Sequence, residues 1–273
     1  MNARIVPVLM YHHVTAEPGL VTVSPEHFEQ QMRWLKTRGY HTVRADELLG
    51  FVRGEQALPA RSVMITFDDG YLDNYVHAYP VLQKLGLHAV IFAVTRWIGN
   101  GATRPHAGQP GEPPATPGHK ACKHAIAEGR ADEVMLRWSE IVAMEAEGSI
   151  EVHSHTHSHV RWDREHADER ERIQAVQNDL QRSHHELYEQ LGRRSRHLCW
   201  PWGYFEPGYV PAAREAGFEA LYTTARGLAR KGSDPLAIPR IVVKDRGADW
   251  FGARMRLYTR PWLGPLYLRL RGA

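Results

Sequence analysis

The residues best suited to chemistry begin with a histidine-rich segment, residues 152–159. Histidines occupy alternate positions in it, at His153, His155, His157 and His159. Neutral imidazole is the commonest side-chain ligand of divalent metals, and this alternation places all four on one face if the segment is extended. The segment therefore predicts a metal site. The alternative, in a chain with 17 histidines, is an exposed tract that binds metal only incidentally.

A second segment, residues 63–71, supplies acidic groups. Its apolar, β-branched run ends at Asp68 and Asp69 followed by Gly70, which predicts a buried strand that carries two carboxylates to a turn. Strand ends of this kind are where α/β proteins place their sites, although an ordinary Asp-Asp-Gly turn is the alternative. Two imidazoles and one carboxylate leave coordination positions open for water and substrate, as in catalytic metal sites, and the second carboxylate is then free to act as a base.

Together with a third segment, these residues resemble the polysaccharide deacetylases that carry the NodB-homology domain, carbohydrate esterase family four. The motifs that carry the resemblance are Thr66-Phe67-Asp68-Asp69-Gly70, His155-Thr156-His157-Ser158-His159 and Trp200-Pro201-Trp202-Gly203. The opening run Val8-Leu9-Met10-Tyr11-His12-His13 is similar to the branch that N-deacetylates biofilm poly-N-acetylglucosamine. The resemblance covers about residues 6–243 and implies an α/β fold, a distorted (β/α) barrel of the NodB-homology type.

The resemblance implies a role for each residue that matches a motif. Asp68 falls at the position of the general base, and the metal ligands correspond to Asp69, His155 and His159. One divalent ion is implied, with zinc favoured and cobalt or nickel as alternatives. This assignment is chemically consistent, because a cation acidifies a water whose proton a nearby carboxylate can accept before the hydroxide attacks an acetamide carbonyl.

The third motif also predicts a substrate-binding surface. The resemblance places an oxyanion-stabilising backbone N–H near Trp202 or Gly203. Aromatic faces beside polar donors bind pyranose rings, so Trp202 and Tyr204 are candidates to line a saccharide subsite. The alternative is that these side chains only pack, and Trp200 is expected in the core.

Two positions depart from the commonest family pattern. Cys199 stands where many relatives carry an arginine that orients the base, and Arg240 is the best replacement, with a solvent-facing arginine at a strand start as the alternative. Lys244 stands where many relatives supply a histidine as general acid. The proton donor is therefore open among four groups: His13, His153, His157 and Lys244.

Composition favours a single catalytic domain, residues 1–273. A chain of 273 residues with 43% hydrophobic residues can bury a sizeable core. Its net charge of +3 is mildly basic, and no basic run interleaved with aromatic residues resembles a nucleic-acid-binding module, so no nucleic acid is expected as a partner. Cys122 and Cys199 form no disulfide framework, and neither a leader-like segment nor an apolar run of membrane-span length is found. The expected localisation is cytoplasmic.

The elements that position these residues alternate between strand and helix. Strands are predicted over residues 5–11 and 88–94, and helices from Ser24-Pro25 towards Gly39, over 75–85, and as one long helix over 161–190. Alternation of this kind predicts a parallel sheet.

Two segments stand outside the alternation. Residues 99–119, rich in Gly and Pro, predict an irregular insertion, either a lid or a disordered loop, in which His106 and His119 are expected to be solvated. Residues 248–273 interleave aromatic residues with arginines, from Trp250 to Arg271. This composition suits a helix docked on the barrel, which is favoured, or a segment lying on an anionic membrane surface.

The function expected from these features is a metal-dependent hydrolase that removes N-acetyl groups from N-acetylhexosamine units of a polysaccharide or its precursor. The alternatives are a deformylase or deacetylase of a lipid-linked monosaccharide, and a non-catalytic carbohydrate-binding relative, which the intact Asp68 disfavours. The expected partner is an N-acetylated glycan or glycolipid, with peripheral contact to the inner membrane surface as a further expectation.

Overall fold

The computed structural model describes residues 2–270. Within that range the strands are β1 Val8–Tyr11, β2 His13–Val14, β3 Thr22–Val23, β4 His41–Thr42, β5 Ser62–Asp69, β6 Ala89–Ala93, β7 Ile150–Ser154, β8 His197–Cys199, β9 Ala220–Arg226 and β10 Ile238–Val242. The helices are α1 Pro25–Thr37, α2 Ala45–Arg53, α3 Tyr79–Leu85, α4 His119–Ala127, α5 Trp138–Ala146, α6 Trp162–Glu165, α7 Glu169–Leu191, α8 Tyr209–Glu215, α9 Ala248–Tyr258 and α10 Leu263–Leu270.

Seven parallel strands close into a barrel, in the order β1-β10-β9-β8-β7-β6-β5, with β4 added beside β5. Closure depends on β1, which pairs with β10 through Leu9 and Ile241 and with β5 through Leu9 and Ile65. Helices cover the outside, as parallel strands require when each is followed by a crossover helix. The predicted α/β barrel is confirmed, and the carboxyl ends of its strands meet at one rim, where barrels place their sites.

The alternation of side chains along each strand divides the core. Val8, Met64 and Phe92 belong to one buried cluster, which α2 also enters, whereas Leu9 and Ile65 pack in another with the apolar face of α1. Because residues two apart on a strand share a face, Thr66 and Asp68 follow Met64, and Arg240 follows Ile238 of the same cluster. The strands thus deliver polar side chains to the inward face at the rim.

Several element predictions needed adjustment. A π-helical turn, Asn74–Ala78, replaces the first part of the helix predicted over 75–85, and α3 follows it. The single helix predicted over residues 161–190 is wrong, because the chain forms α6 and then α7. Asp168 caps the start of α7 by accepting hydrogen bonds from the backbone N–H groups of Arg170 and Glu171, which is the usual role of an aspartate at an N-cap.

The insertion, residues 99–119, is irregular up to the start of α4 and is anchored to the barrel by a buried ion pair. Arg104 donates to both carboxylate oxygens of the fully buried Glu140, at 2.7 and 2.8 Å. His106 is buried against the rings of Tyr75 and Tyr79, so the expectation that it is solvated is wrong.

The C-terminal segment is docked on the barrel as far as the structure describes it. Phe251 and Met255 of α9 are buried, and Phe251 lies edge-on to Trp34 of α1. Trp262 is 85% exposed at the start of α10. Arg271 lies outside the described residues, and among residues 2–270 no helix is long and apolar enough to cross a membrane.

Candidate active site

Two loop segments bring the predicted metal ligands together at the carboxyl rim. Asp69 ends β5, and His155 and His159 follow β7; one ligand atom from each lies within 4.8 Å of the others. All three side chains are at least nine-tenths buried. The Nε2 atoms of His155 and His159 lie 3.4 and 3.3 Å from Asp69 Oδ1.

The backbone at this rim is strained at the metal ligands and at residues close to them. The non-glycine residues with positive φ are Asp69 at 73°, Thr156 at 66°, His159 at 56° and Trp202 at 55°. Such conformations are uncommon outside glycine and cost free energy, and they concentrate at functional sites. Here they turn the chain sharply where the ligands must converge.

The donor set of these three residues fits a divalent cation. His155 Nδ1 lies 2.7 Å from the carbonyl oxygen of Cys199, so it carries the hydrogen, and in the neutral ring Nε2 presents a lone pair towards Asp69. Asp69 Oδ1 has no hydrogen-bond partner among the described residues although it is buried. Lone pairs that face one another without a hydrogen between them are unfavourable unless a cation lies there, and an N, N, O set suits zinc and its neighbours.

A buried guanidinium holds the second carboxylate. Arg240 is 1% exposed and donates through both terminal nitrogens to the two oxygens of Asp68, at 2.6 and 2.8 Å. The same Nη2 lies 3.0 Å from Cys199 Sγ. The structure thus places Arg240, from β10, beside the cysteine that occupies the family's arginine position, and the solvent-facing alternative for Arg240 is wrong.

The charges at the site favour two ionised carboxylates. Burial alone would raise the pKa of Asp68, but Arg240, then His12, outweigh it and hold that pKa below its usual value. Burial would likewise raise the pKa of Asp69, and positive charge on the imidazoles of His159 and His155 holds it well below the usual value; a cation bound between neutral rings would supply the same positive charge. Both groups are therefore ready to accept a proton or a cation at neutral pH.

His12 is a site residue that the sequence interpretation missed. Its Nε2 lies 3.7 Å from Asp68 Oδ2, and its side chain is 19% exposed, so solvent and substrate can reach it. Burial lowers its pKa, an effect that Asp68 and Asp69 oppose. No sequence pattern indicated this role, because the proximity comes from strand register: Tyr11 pairs with Phe67, which sets the next residues, His12 and Asp68, side by side at the rim.

The four predicted candidates for the proton donor have other contacts. His13 is fully buried, with Nδ1 2.6 Å from Asp73 Oδ2, and His153 contacts the hydroxyl of Ser195 at 2.9 Å. His157 faces Thr95 with Nδ1 2.9 Å from its hydroxyl. Lys244 is exposed, and its carbonyl accepts a hydrogen bond from Gln31.

The third motif forms one wall of the site. Trp202 is 50% exposed, and its ring centroid lies 4.1 Å from that of His159. Gly203 closes the turn: its N–H donates to the carbonyl of Trp200, and a Cβ there would lie 2.1 Å from Thr224 Oγ1. Trp200 is buried, as expected.

Tyr204 lies on the outer side of the same loop. The Arg161 guanidinium carbon lies 3.6 Å from the centroid of its ring, and its hydroxyl donates to Glu206. These contacts occupy one ring face and the phenol group, so Tyr204 presents less free surface for a sugar than Trp202 does.

Comparisons with known proteins agree with this geometry. The chain matches the family model for polysaccharide deacetylases over residues 55–221. It is 27% identical over 237 residues to the Bacillus subtilis protein YxkH, whose name places it among the polysaccharide deacetylases, covering 87% of this chain and 71% of that protein.

Two further similarities are to a curated relative and to a solved structure. The chain is 23% identical over 264 residues to the poly-β-1,6-N-acetyl-D-glucosamine N-deacetylase of Escherichia coli K12, covering 86% of this chain but only 36% of that protein, so it spans about a third of that relative's length. The structure of IcaB from Ammonifex degensii superposes with a TM-score of 0.70 at 24% identity, covering 93% of this chain and 96% of the other.

Proposed function

This chain belongs to the polysaccharide deacetylase family, and from that premise we propose that it removes N-acetyl groups from a poly-N-acetylhexosamine, with β-1,6-linked N-acetylglucosamine as the polymer. The observation that carries the proposal is the pair of adjacent carboxylates at the end of β5. Asp69 faces two imidazoles, and Asp68 accepts two hydrogen bonds from Arg240. The similarity to the poly-β-1,6-N-acetyl-D-glucosamine N-deacetylase of Escherichia coli supports the choice of polymer.

Asp69, His155 and His159 are the residues that hold the divalent ion, and zinc is our choice from their N, N, O donor set. When bound, such an ion acidifies a water molecule and polarises a carbonyl oxygen. Their common burial keeps bulk water from competing for the ligands. The His155 hydrogen bond to the Cys199 carbonyl keeps its Nε2 directed at Asp69.

Asp68 is the general base, and Arg240 keeps it ionised and fixes the direction of its oxygens. A guanidinium that donates two parallel hydrogen bonds to one carboxylate prevents it from rotating. Asp68 then accepts the proton of the attacking water. This arrangement requires no arginine at position 199, because the cysteine there leaves room for Arg240 to reach across from β10.

His12 is the proton donor that we assign to the leaving nitrogen. It lies beside the base and is partly exposed. A lowered pKa makes its protonated form a stronger acid towards the amine.

The turn at Trp202 stabilises the oxyanion and supports the sugar. Since Gly203 N–H already donates to Trp200, the N–H of Trp202 is our candidate oxyanion donor. The half-exposed indole provides a flat apolar surface for a pyranose ring.

The test is release of acetate from defined β-1,6-linked N-acetylglucosamine oligomers by protein stripped of metal and reloaded with zinc, cobalt or nickel. We expect activity only after reloading. His159→Ala should lose most bound metal and activity, whereas the control His185→Ala, on the exposed side of α7, should lose neither. No acetate from any N-acetylated glycan after reloading would overturn the proposal, and formate release from a formylated lipid-linked sugar would favour the deformylase alternative. Cytoplasmic localisation and membrane contact stay predictions.

A further inference from the structure

A groove beside the metal-ligand cluster has no part in the mechanism above. It is an open groove of about 750 Å³ between the loop at residues 17–20 and the first turn of α4, within the size range of ligand-binding pockets. Its walls include an apolar side chain and several polar ones, Leu20, Glu17, His119 and Lys120. Leu20 is 92% exposed, so its apolar surface has no cover in the described chain.

Helix α4 connects this groove to residues that neighbour the metal ligands. His119 lines the groove and lies 3.5 Å from the hydroxyl of Tyr71, a buried residue two positions after Asp69. One turn later, Lys123 lies 5.1 Å from the centre of the Trp97 ring, which in turn contacts His159. The groove is therefore connected to the metal-ligand cluster through two neighbouring residues, Tyr71 and Trp97.

His119 is held in one orientation by a hydrogen-bonded chain whose first two members, Asp73 and His13, are buried. Asp73 Oδ2 lies 2.6 Å from Nδ1 of His13, and Nε2 of His13 lies 3.1 Å from Nδ1 of His119. A carboxylate only accepts, so His13 carries its hydrogen on Nδ1 and accepts through Nε2. Neutral His119 must then carry its own hydrogen on Nδ1, which leaves Nε2 as an acceptor.

An acceptor of this kind, beside an exposed apolar side chain, matches the chemistry of a sugar. Pyranose rings present hydroxyl donors at their edges and apolar C–H groups on their faces. A fixed imidazole nitrogen can accept from a hydroxyl, and Leu20 can cover a ring face. The side chains of Glu17 and Lys120 carry opposite charges, so the groove has no strong preference for a charged ligand.

We propose that this groove binds a sugar unit neighbouring the one that is deacetylated, and that His119 Nε2 accepts a hydrogen bond from a hydroxyl of that unit. This inference rests on the proposed function and adds a preference for chain length. His13 and Asp73 act as positioning residues, because they touch His119 and not the sugar.

The experiment compares zinc-loaded wild type, His119→Ala and His119→Gln on the methyl glycoside of N-acetylglucosamine and on its β-1,6-linked pentamer. Loss of one hydrogen bond should raise KM for the pentamer about 3- to 10-fold in His119→Ala, with kcat and the single-sugar kinetics unchanged. Glutamine can place its carbonyl oxygen near the Nε2 position and should restore most of the loss. His185→Ala is the matched control, since it removes an exposed histidine from α7.

Each other outcome has a distinct meaning. An equal KM for wild type and His119→Ala on the pentamer, with wild type active, overturns the subsite but leaves the deacetylase assignment intact. A fall in kcat on both substrates also overturns it, because His119 would then act in the reaction itself. A wild type that is inactive on every N-acetylated glycan contradicts the proposed function instead.

Discussion

Replacing Arg240 with lysine should move the acid limb of the pH–rate profile upwards. Arg240 contacts Asp68 at 2.6 and 2.8 Å in a site where both side chains are almost fully buried. Lysine keeps the charge but cannot donate two parallel hydrogen bonds. Two unit charges about 4 Å apart interact by about 4 kcal/mol at an effective dielectric of about 20. Since one pKa unit corresponds to about 1.4 kcal/mol, losing a third of that interaction raises the apparent pKa of Asp68 by about one unit.

The sign of this shift follows from the two opposing effects on Asp68. Burial raises its pKa and Arg240 lowers it, so a weaker contact with Arg240 raises the pKa and protonates the base at a higher pH. The assay is acetate release as kcat/KM across about pH 4.5 to 9, with bound metal measured in parallel. Arg33→Lys, which alters an exposed ion pair with Glu29, is the control and should leave the profile unchanged.

A second variant separates charge from geometry. Arg240→Met removes the charge, so the upward shift should be larger, in the range of about 1 to 3 units. It also leaves Asp68 buried without its partner, which costs about 3–5 kcal/mol of stability, so its fold must be checked first. Unchanged turnover and an unchanged acid limb in Arg240→Lys would refute the orienting role.

The remaining predictions concern the base, the insertion and acid stability. Asp68→Asn should keep its metal and fold but lose about 10²-fold or more in kcat; near-normal turnover would place the base elsewhere. Arg104→Ala should lower the free energy of unfolding by about 3–5 kcal/mol in urea titrations, because it leaves the fully buried Glu140 without its counter-ion and with only backbone N–H donors; a loss below about 1 kcal/mol would contradict this. Burial lowers the pKa of His88 and His153 to about 4, so the unfolded chain, with histidine pKa values near 6.5, binds more protons as the pH falls from about 6.5 to 4. Each of these two histidines should then lower the free energy of unfolding of the metal-free protein by up to about 1.4 kcal/mol for each pH unit of acidification. His88→Gln should reduce the slope of unfolding free energy against pH by that amount, and an unchanged slope would argue against this assignment.

Local patterns predicted a parallel α/β sheet and a metal site, and the family resemblance specified the barrel and the ligand set. An apolar run that ends in Asp68 and Asp69 is a buried strand that carries polar groups to its end, and that inference needs only the residues themselves. The alternating histidines of residues 152–159 likewise indicated metal binding from one short segment, and the resemblance selected His155 and His159 among them. The catalytic roles of these residues stay predictions.

Features that depend on distant parts of the chain required the tertiary structure. His12 follows β1 and Asp68 lies near the end of β5, and only the pairing that closes the barrel sets their side chains 3.7 Å apart. The end of the insertion offered no periodic pattern, so nothing local indicated that His119 meets His13 across 106 residues. Arg240 was a candidate from the sequence. Its two hydrogen bonds to Asp68 form because parallel strands far apart in the chain bring their carboxyl ends to one rim. Local side-chain patterns determine where strands end, whereas the register between strands decides which ends meet.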